Sequence, residues 1–316
     1  MPKTTAPAGP GHRPDVGFHA GELAAQQRTG TREEAERLSP MLDPAELRGG
    51  IVAFLADRTF AAITARDADG RLWTSALTGS AGFLEAVTPT TLAIHARLPD
   101  GDPLHGLPAG QQVGLVVVEF ALRRRVRVNG TLSAASDGIL AIEVEQAYGN
   151  CPQYIHQRVL AQDDPGRRDP GDVRRDSVLS PSDIGLIRAA DTFFLGTTNP
   201  ERGSDASHRG GAPGFVRVGG GRLWWPDYPG NNLFNSFGNL AVDPEAALLF
   251  FDFDSGRTLQ LSGLAEIDWD AAGRPGDDGR TGRRAVFTLQ RLVAGRLLPV
   301  RQIADAPYPR NPALTD

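Results

Sequence analysis

The sequence predicts a mainly β protein with flanking helices (α+β), built as two tandem copies of one β-barrel unit. Three observations predict it: an internal duplication, short β-rich segments at regular spacing, and apolar runs of strand length. Repeats are sought first because missing one misassigns the whole fold. Leu115-Val-Val-Val-Glu119-Phe120 matches Leu248-Leu-Phe-Phe-Asp252-Phe253, and Val126-Arg-Val-Asn-Gly130 matches Leu259-Gln-Leu-Ser-Gly263, both at an offset of 133 residues. Upstream, Thr59-Phe60 matches Thr192-Phe193 at the same offset, and Gly79-Ser-Ala-Gly-Phe83 matches Gly211-Ala-Pro-Gly-Phe215 after a slip of one. Four matches in one order point to duplication.

Each copy reads as strands and turns. Residues 59–65 and 192–198 are apolar, β-branched or aromatic, and run into Asp/Gly or Pro/Gly turn chemistry. Residues 113–120 and 246–253 are continuous apolar runs, as expected of strands buried on both faces or lining a barrel. Val126 and Val128, then Leu259 and Leu261, alternate with polar residues as in half-buried strands. Such short strands favour closed barrels over an open sheet. Helices are expected at Thr31 to Leu38, at Pro44 to Asp57 with Asp43 as N-cap, and at Ser182 to Ala190. The division that follows is an N-terminal extension (1–43), a first barrel copy (44–161), a linker rich in Asp, Arg, Pro and Gly (162–176) and a second copy (177–316). Asp268 to Arg284 reads as a mobile loop.

Composition narrows the function. The 316 residues suffice for two ordinary domains, and the formal net charge of -5 offers no basic field for nucleic acid. No apolar run approaches the roughly 18 residues of a membrane-spanning helix, and Met1 to Pro14 lacks the apolar core of a signal peptide, so a cytoplasmic location is expected. Cys151 is the single cysteine, which excludes an intrachain disulfide and a thiolate metal cluster. Scattered His19, Glu22 and His105 suggest no metal site. Lys3 is the single lysine, so a ligand phosphate would have to be held by Arg, hydroxyl or backbone N–H groups.

The candidate chemistry lies in residues 205–239. Ser207-His208-Arg209-Gly210-Gly211 places a hydroxyl, an imidazole and a guanidinium beside two glycines that would let backbone N–H groups approach an anion. The same triplet is also a common solvated strand end. Asn232, Asn235 and Asn239 are spaced by three and four, so a helical turn would align their amides toward a planar heterocycle; such rows also cap helices and satisfy loops. Trp224-Trp225 reads as a barrel plug or interface before a stacking platform. The first copy has Ser75-Ala76-Leu77-Thr78-Gly79 opposite Ser207 to Gly211, and Asp102-Pro103-Leu104-His105 in place of the Asn-rich turn. One copy therefore keeps ligand groups while the other supplies a wall.

These stretches carry a resemblance. Ser207-His-Arg-Gly-Gly211, Pro213-Gly-Phe-Val-Arg217, Pro226-Asp-Tyr-Pro-Gly-Asn231, Gly238-Asn-Leu240 and Leu248-Leu-Phe-Phe-Asp252 resemble the pyridoxamine 5′-phosphate oxidase-like flavin-binding split-barrel superfamily. Phe18 to Leu23, Gly101 to Leu104, Arg123 to Gly130, Ala147 to Ile155, Pro299 to Arg301 and Arg310 to Pro312 look like its two-copy branch, so the resemblance covers most of residues 16–312. It implies six-stranded split barrels, paired as an intrachain pseudo-dimer, with FMN at the interface between them and a further homodimer of chains possible. It implies an FMN-dependent oxidoreductase acting on an unidentified small molecule, with NAD(P)H or the substrate as hydride source. The alternative is a non-catalytic binder of flavin, deazaflavin (F420) or haem. Carried over, Ser207, His208, Arg209 and Gly210 would lie by the flavin phosphate or ring edge, with Arg217, Asn232, Asn235 and Asn239 as further cofactor contacts. No substrate-phosphate signature matches that of pyridoxamine phosphate oxidase itself, so its substrate is not inherited.

Overall fold

The structure is a computed structural model that describes residues 17–42, 45–136, 138–162 and 173–315. The chain opens with helices α1 (Ala20–Thr29) and α2 (Arg32–Glu36), then α3 (Gly49–Ala56). The first copy follows as β1 (Phe60–Arg66), β2 (Leu72–Thr78), β3 (Leu84–Thr88), β4 (Thr91–His95), β5 (Gln111–Glu119), β6 (Arg124–Ser136) and β7 (Ile139–Asn150). After β8 (Gln157–Gln162) and β9 (Arg174–Asp176) comes α4 (Pro181–Ala189). The second copy is β10 (Thr192–Asn199), β11 (Gly203–Gly210), β12 (Arg217–Gly219), β13 (Arg222–Pro226), α5 (Asn235–Val242), β14 (Glu245–Phe251), β15 (Thr258–Asp268) and β16 (Arg284–Gly295); β17 (Val300–Ala306) ends the chain.

The duplication is a repeat of topology. The first sheet runs β2-β1-β5-β6-β7-β4-β3 and the second β11-β10-β14-β15-β16-β13-β12, the same order in each. Each curls round its own core as a split barrel, with seven strands in the shared order where six were expected, and β9 added beside β16 in the second. Alternation along the strands decides what each face meets. In β1, β5 and β6 the residues Ala61, Ile63, Leu115, Val117, Val126 and Val128 fill the first barrel, as Phe193, Leu195, Leu248, Phe250, Leu259 and Leu261 fill the second. The opposite faces of the same strands meet between the barrels, where Phe60, Val116, Val118 and Phe120 pack on Phe194, Leu249, Phe251 and Phe253. Phe60 lies 5.5 Å from Phe194 and 5.8 Å from Phe251 between ring centroids. Each such aromatic pair adds about 0.5–1.5 kcal/mol beyond its area burial. The apolar runs at 113–120 and 246–253 are thus buried on both faces because one face serves the other copy.

Strand pairing corrects the sequence alignment at its start. Val117 and Phe250 are core residues at the 133 offset, and their ladder partners are Ala61 and Phe193, which are 132 apart. Thr59-Phe60 therefore corresponds to Asp191-Thr192, not to Thr192-Phe193. A slip of one residue turns every side chain to the other face. Phe60 accordingly sits between the barrels and Phe193 inside its own. The second copy gains its residue after β11, in the stretch leading to β14.

Three local expectations also change. Asp43 and Pro44 lie outside the described residues, and α3 begins at Gly49 because the Leu47 N–H is already bonded to the Pro89 carbonyl at 2.6 Å. Within the expected linker, residues 163–172 lie outside the described residues, but 174–176 form β9 and pair with β16. The stretch 268–284 is pinned, not mobile. Asp277 accepts from the Gly273 and Gly282 N–H groups, and Asp278 clasps Arg217 and Thr315. Among the described residues no helix is long and apolar enough to cross a membrane.

Candidate functional site

Where the barrels meet, a crevice of about 880 Å³, partly open to solvent, is lined from both copies. The first copy contributes Arg125 and Arg127 from β6 and residues 150–154; the second contributes β11 and the 225–237 segment. Strand alternation explains the arginines. Val126 and Val128 enter the barrel, so Arg125, Arg127 and Asn129 must project the other way, toward the second copy.

Arg127 is buried and fully engaged. It donates to Asp205 Oδ1 (3.1 Å), Asn235 Oδ1 (3.3 Å), Tyr148 OH (3.3 Å) and Ser207 Oγ (2.7 Å). Arg125 has no carboxylate partner among the described residues. Its Nη1 reaches only His208, at Nδ1 and the carbonyl oxygen (3.1 Å each), and its Nε is buried without a partner. Burial first, then the Arg127 and Arg209 charges, push Arg125 down to about 9. Arg209 makes no side-chain hydrogen bond or ion pair among the described residues, and its Nε is likewise buried and unpartnered. Burial lowers it too, while Asp227 acts the other way. Asp227 is itself held by Arg283 at 2.9 Å. The crevice therefore keeps two uncompensated guanidinium groups, and a buried unpaired charge is costly until an anion meets it.

His208 is buried beside cationic neighbours, with Nε2 lacking a hydrogen-bond partner among the described residues. Burial, then Arg125, drive its pKa well below the ordinary value, so the ring is neutral. Its Nδ1 accepts from Arg125, which leaves the proton on Nε2, and the ring packs edge-on to Phe194 and Phe120. Ser207 Oγ accepts from Arg127, so its own hydrogen is free to point into the crevice. Gly210 has a steric reason: a Cβ there would stand 1.9 Å from the Tyr154 carbonyl oxygen.

Of the residues the sequence singled out, Ser207, His208, Arg209, Gly210, Asn232 and Asn235 line this crevice. Arg217 does not; it is turned outward into a bidentate pair with Asp278 (2.8 Å on one arm) and bonds the Thr315 carbonyl. The asparagine row is broken. Asn232 and Phe234 both have positive φ, so α5 starts only at Asn235 and Asn232 is not on the helical face. Asn239 lies one turn further on, bonded to Thr197, in an adjoining cavity of about 620 Å³. Glu22, His19, Asp205 and Tyr148 line that cavity as well, and Asn235 borders both spaces. Burial pushes Glu22 up to about 7, against hydrogen bonds from the His19 N–H and Asn235. Trp225 is a core residue of the second barrel, and Trp224 lies under Arg284. The residues missed were Arg125 and Arg127; the signal was arginine alternating with valine on one strand.

Fold and site together define a tandem split-barrel protein with one cationic crevice between its barrels. The chain is similar, over about two fifths of its length, to several solved structures. A putative pyridoxamine 5′-phosphate oxidase from Lactobacillus delbrueckii matches at 13% identity and TM-score 0.31, over 37% of this chain and 94% of that one. The haem storage protein HutZ from Vibrio cholerae matches at 14% and 0.28, over 37% and 95%. An FAD-binding protein from Mycobacterium smegmatis matches at 12% and 0.26, over 40% and 100%. No family model and no curated protein matches the sequence.

Proposed function

We propose that the crevice binds FMN and that the protein is an FMN-dependent oxidoreductase acting on a small molecule. The observation that carries this is the pair of guanidinium groups, Arg125 and Arg209, left without an anion beside the Ser207 hydroxyl. Guanidinium and hydroxyl donors match a phosphate. The motif resemblance around Ser207 to Gly211 supports a flavin as the bearer of that phosphate. Arg125, Arg209 and Ser207 would hold the phosphate, while the amides of Asn232 and Asn235 and the Ser236 hydroxyl would meet polar ring edges. When bound, FMN supplies the electron- and hydride-accepting chemistry, with NAD(P)H or the substrate as donor. The chain's own part is to bind, orient and neutralise charge.

Purified protein is expected to take up FMN with a flavin spectrum. Replacing Arg125 or Arg209 with Ala should weaken binding by about 1.5–3 kcal/mol each, the worth of a charge-assisted hydrogen bond. A protein that takes up no FMN, or keeps full affinity in both variants, refutes the assignment.

A second reading, a binder of flavin, F420 or haem without turnover, draws on one observation. The two groups of the crevice nearest to acid–base work are held: the His208 ring is packed among aromatic rings with its pKa driven down by burial, and Asp227 is clasped by Arg283. A bound cofactor that neither NAD(P)H nor substrates can reduce would favour it.

A further inference from the structure

The cavity behind the crevice contains a chain of hydrogen bonds whose polarity is fixed at both ends. Glu22 of α1 accepts from Asn235 Nδ2 at 2.6 Å; Asn235 Oδ1 accepts from Arg127 Nη1 at 3.3 Å; Arg127 Nη2 donates to Ser207 Oγ at 2.7 Å. A carboxylate can only accept and a guanidinium can only donate. With Glu22 ionised, the Asn235 amide has one orientation that avoids placing oxygen on oxygen and N–H on N–H. We infer that Glu22 is a positioning residue for the crevice: through Asn235 and Arg127 it keeps the Ser207 oxygen occupied and its hydrogen turned toward the bound anion. This rests on the crevice being the anion site.

The helix that carries Glu22 is held closely enough to do this. A Cβ on Gly21 would lie 2.1 Å from the Gly238 carbonyl oxygen, and one on Gly238 would lie 2.6 Å from the Glu22 nitrogen. Backbone thus rests on backbone where α1 crosses α5. The His19 N–H fixes the second Glu22 oxygen at 2.9 Å, and Gln26 bonds the Leu233 carbonyl at 3.2 Å. The charged and titratable groups facing Glu22 are His19 on its own helix, Glu201, Arg202 and Asp205 from the β10–β11 hairpin, Arg127 from β6, and Glu145 and Tyr148 from β7; α5 offers only amides. Protonated Glu22 is a poorer acceptor, so it polarises the Asn235 amide less and Asn235 Oδ1 becomes a weaker acceptor for Arg127. Burial of Glu22, which holds its titration near 7, places that change in the neutral range.

Two measurements test this. In ligand-free protein, the Arg127 side-chain NMR signal should titrate with a midpoint near 7, and stop doing so in Glu22→Gln and in Asn235→Ala; the two variants guard against misfolding of either one. In FMN titrations, Glu22→Gln should weaken binding about tenfold at pH 8 and little at pH 5.5. In a Ser207→Ala background it should not weaken binding at all. The electrostatic field of the Glu22 carboxylate repels an anion and survives in that background, so it cannot mimic the result. An Arg127 signal indifferent to Glu22, or an equal effect with and without the Ser207 hydroxyl, overturns the inference. A titrating Arg127 signal in a protein that takes up no FMN upholds the positioning chain and refutes the FMN assignment instead.

Discussion

The two faces of the inter-barrel interface are built from the same positions with different partners. In the second copy Ser207 accepts from Arg127, and Arg127 also donates to Asn235. In the first copy Ser75 donates to Asp102 at 2.6 Å, and Gln260 reaches both Ser75 Oγ (2.8 Å) and Asp102 Oδ2 (3.1 Å). Ser75 corresponds to Ser207 by ladder position, and Gln260 to Arg127. Asp102 holds Asn235's place among these partners. One side has a cation, itself paired with Asp205, and a neutral amide; the other has an acid and a neutral amide. The remaining crevice groups disappear as well: Arg209 and His208 are matched by Leu77 and Ala76. In the first copy a protein carboxylate occupies the donors that the second copy leaves for a ligand. One FMN per chain is the expected stoichiometry.

The comparison can be broken most forcefully at Gly210. Its ladder counterpart is Thr78, which carries a side chain freely, whereas a methyl at Gly210 would strike the Tyr154 carbonyl. Gly210→Ala should cost about 3 kcal/mol in a denaturant melt, while Thr78→Ala should cost under about 1 kcal/mol. Equal costs would mean that the Tyr154 segment yields freely.

Asp102 tests the closed side. Burial pushes it up to about 6, against its bonds from Ser75, the Leu104 N–H and Gln260. A carboxyl raised in the folded state contributes stability that is full below its unfolded pKa, near 3.8, and is lost as pH climbs through 6. Asp102→Asn should therefore stabilise the protein by about 1–2 kcal/mol at pH 7.5 and flatten the loss between pH 4 and 6. Thermal melts across that range would show it; an unchanged slope would remove Asp102 from the account.

The mildest test converts the open side. Asn235→Asp copies the first copy's acid into the second, between Glu22 and Arg127. FMN titration should show about tenfold weaker binding at neutral pH, as the added carboxylate repels the anion from beside Ser207. Unaltered affinity would separate Asn235 from the anion site.

What the sequence made legible follows from which patterns are periodic. The stretches 113–130 and 246–263 aligned correctly because alternating valine and leucine fix both strand and face. Thr59-Phe60 and Thr192-Phe193 misled because two identical residues carry no information about face, and the faces there are reversed. Ser207 to Gly210 were found as a motif, whereas Arg125 and Arg127 were passed over because they belong to the other copy and reach the site only through packing. The asparagine row failed at one point, the positive φ of Asn232 and Phe234, which spacing does not encode. Glu22 sits more than 200 residues from Asn235 in the chain, and nothing local to either residue links them.

The covalent join between the barrels has a genetic consequence. In an assembly of identical subunits, any codon change in a crevice is made in every crevice at once. Here each crevice draws on its own set of codons, Arg127 with Ser207 and Gln260 with Ser75. A change that would strike both sites of a symmetric dimer strikes one here, so one crevice can be rebuilt as internal adhesive while the other keeps its ligand groups.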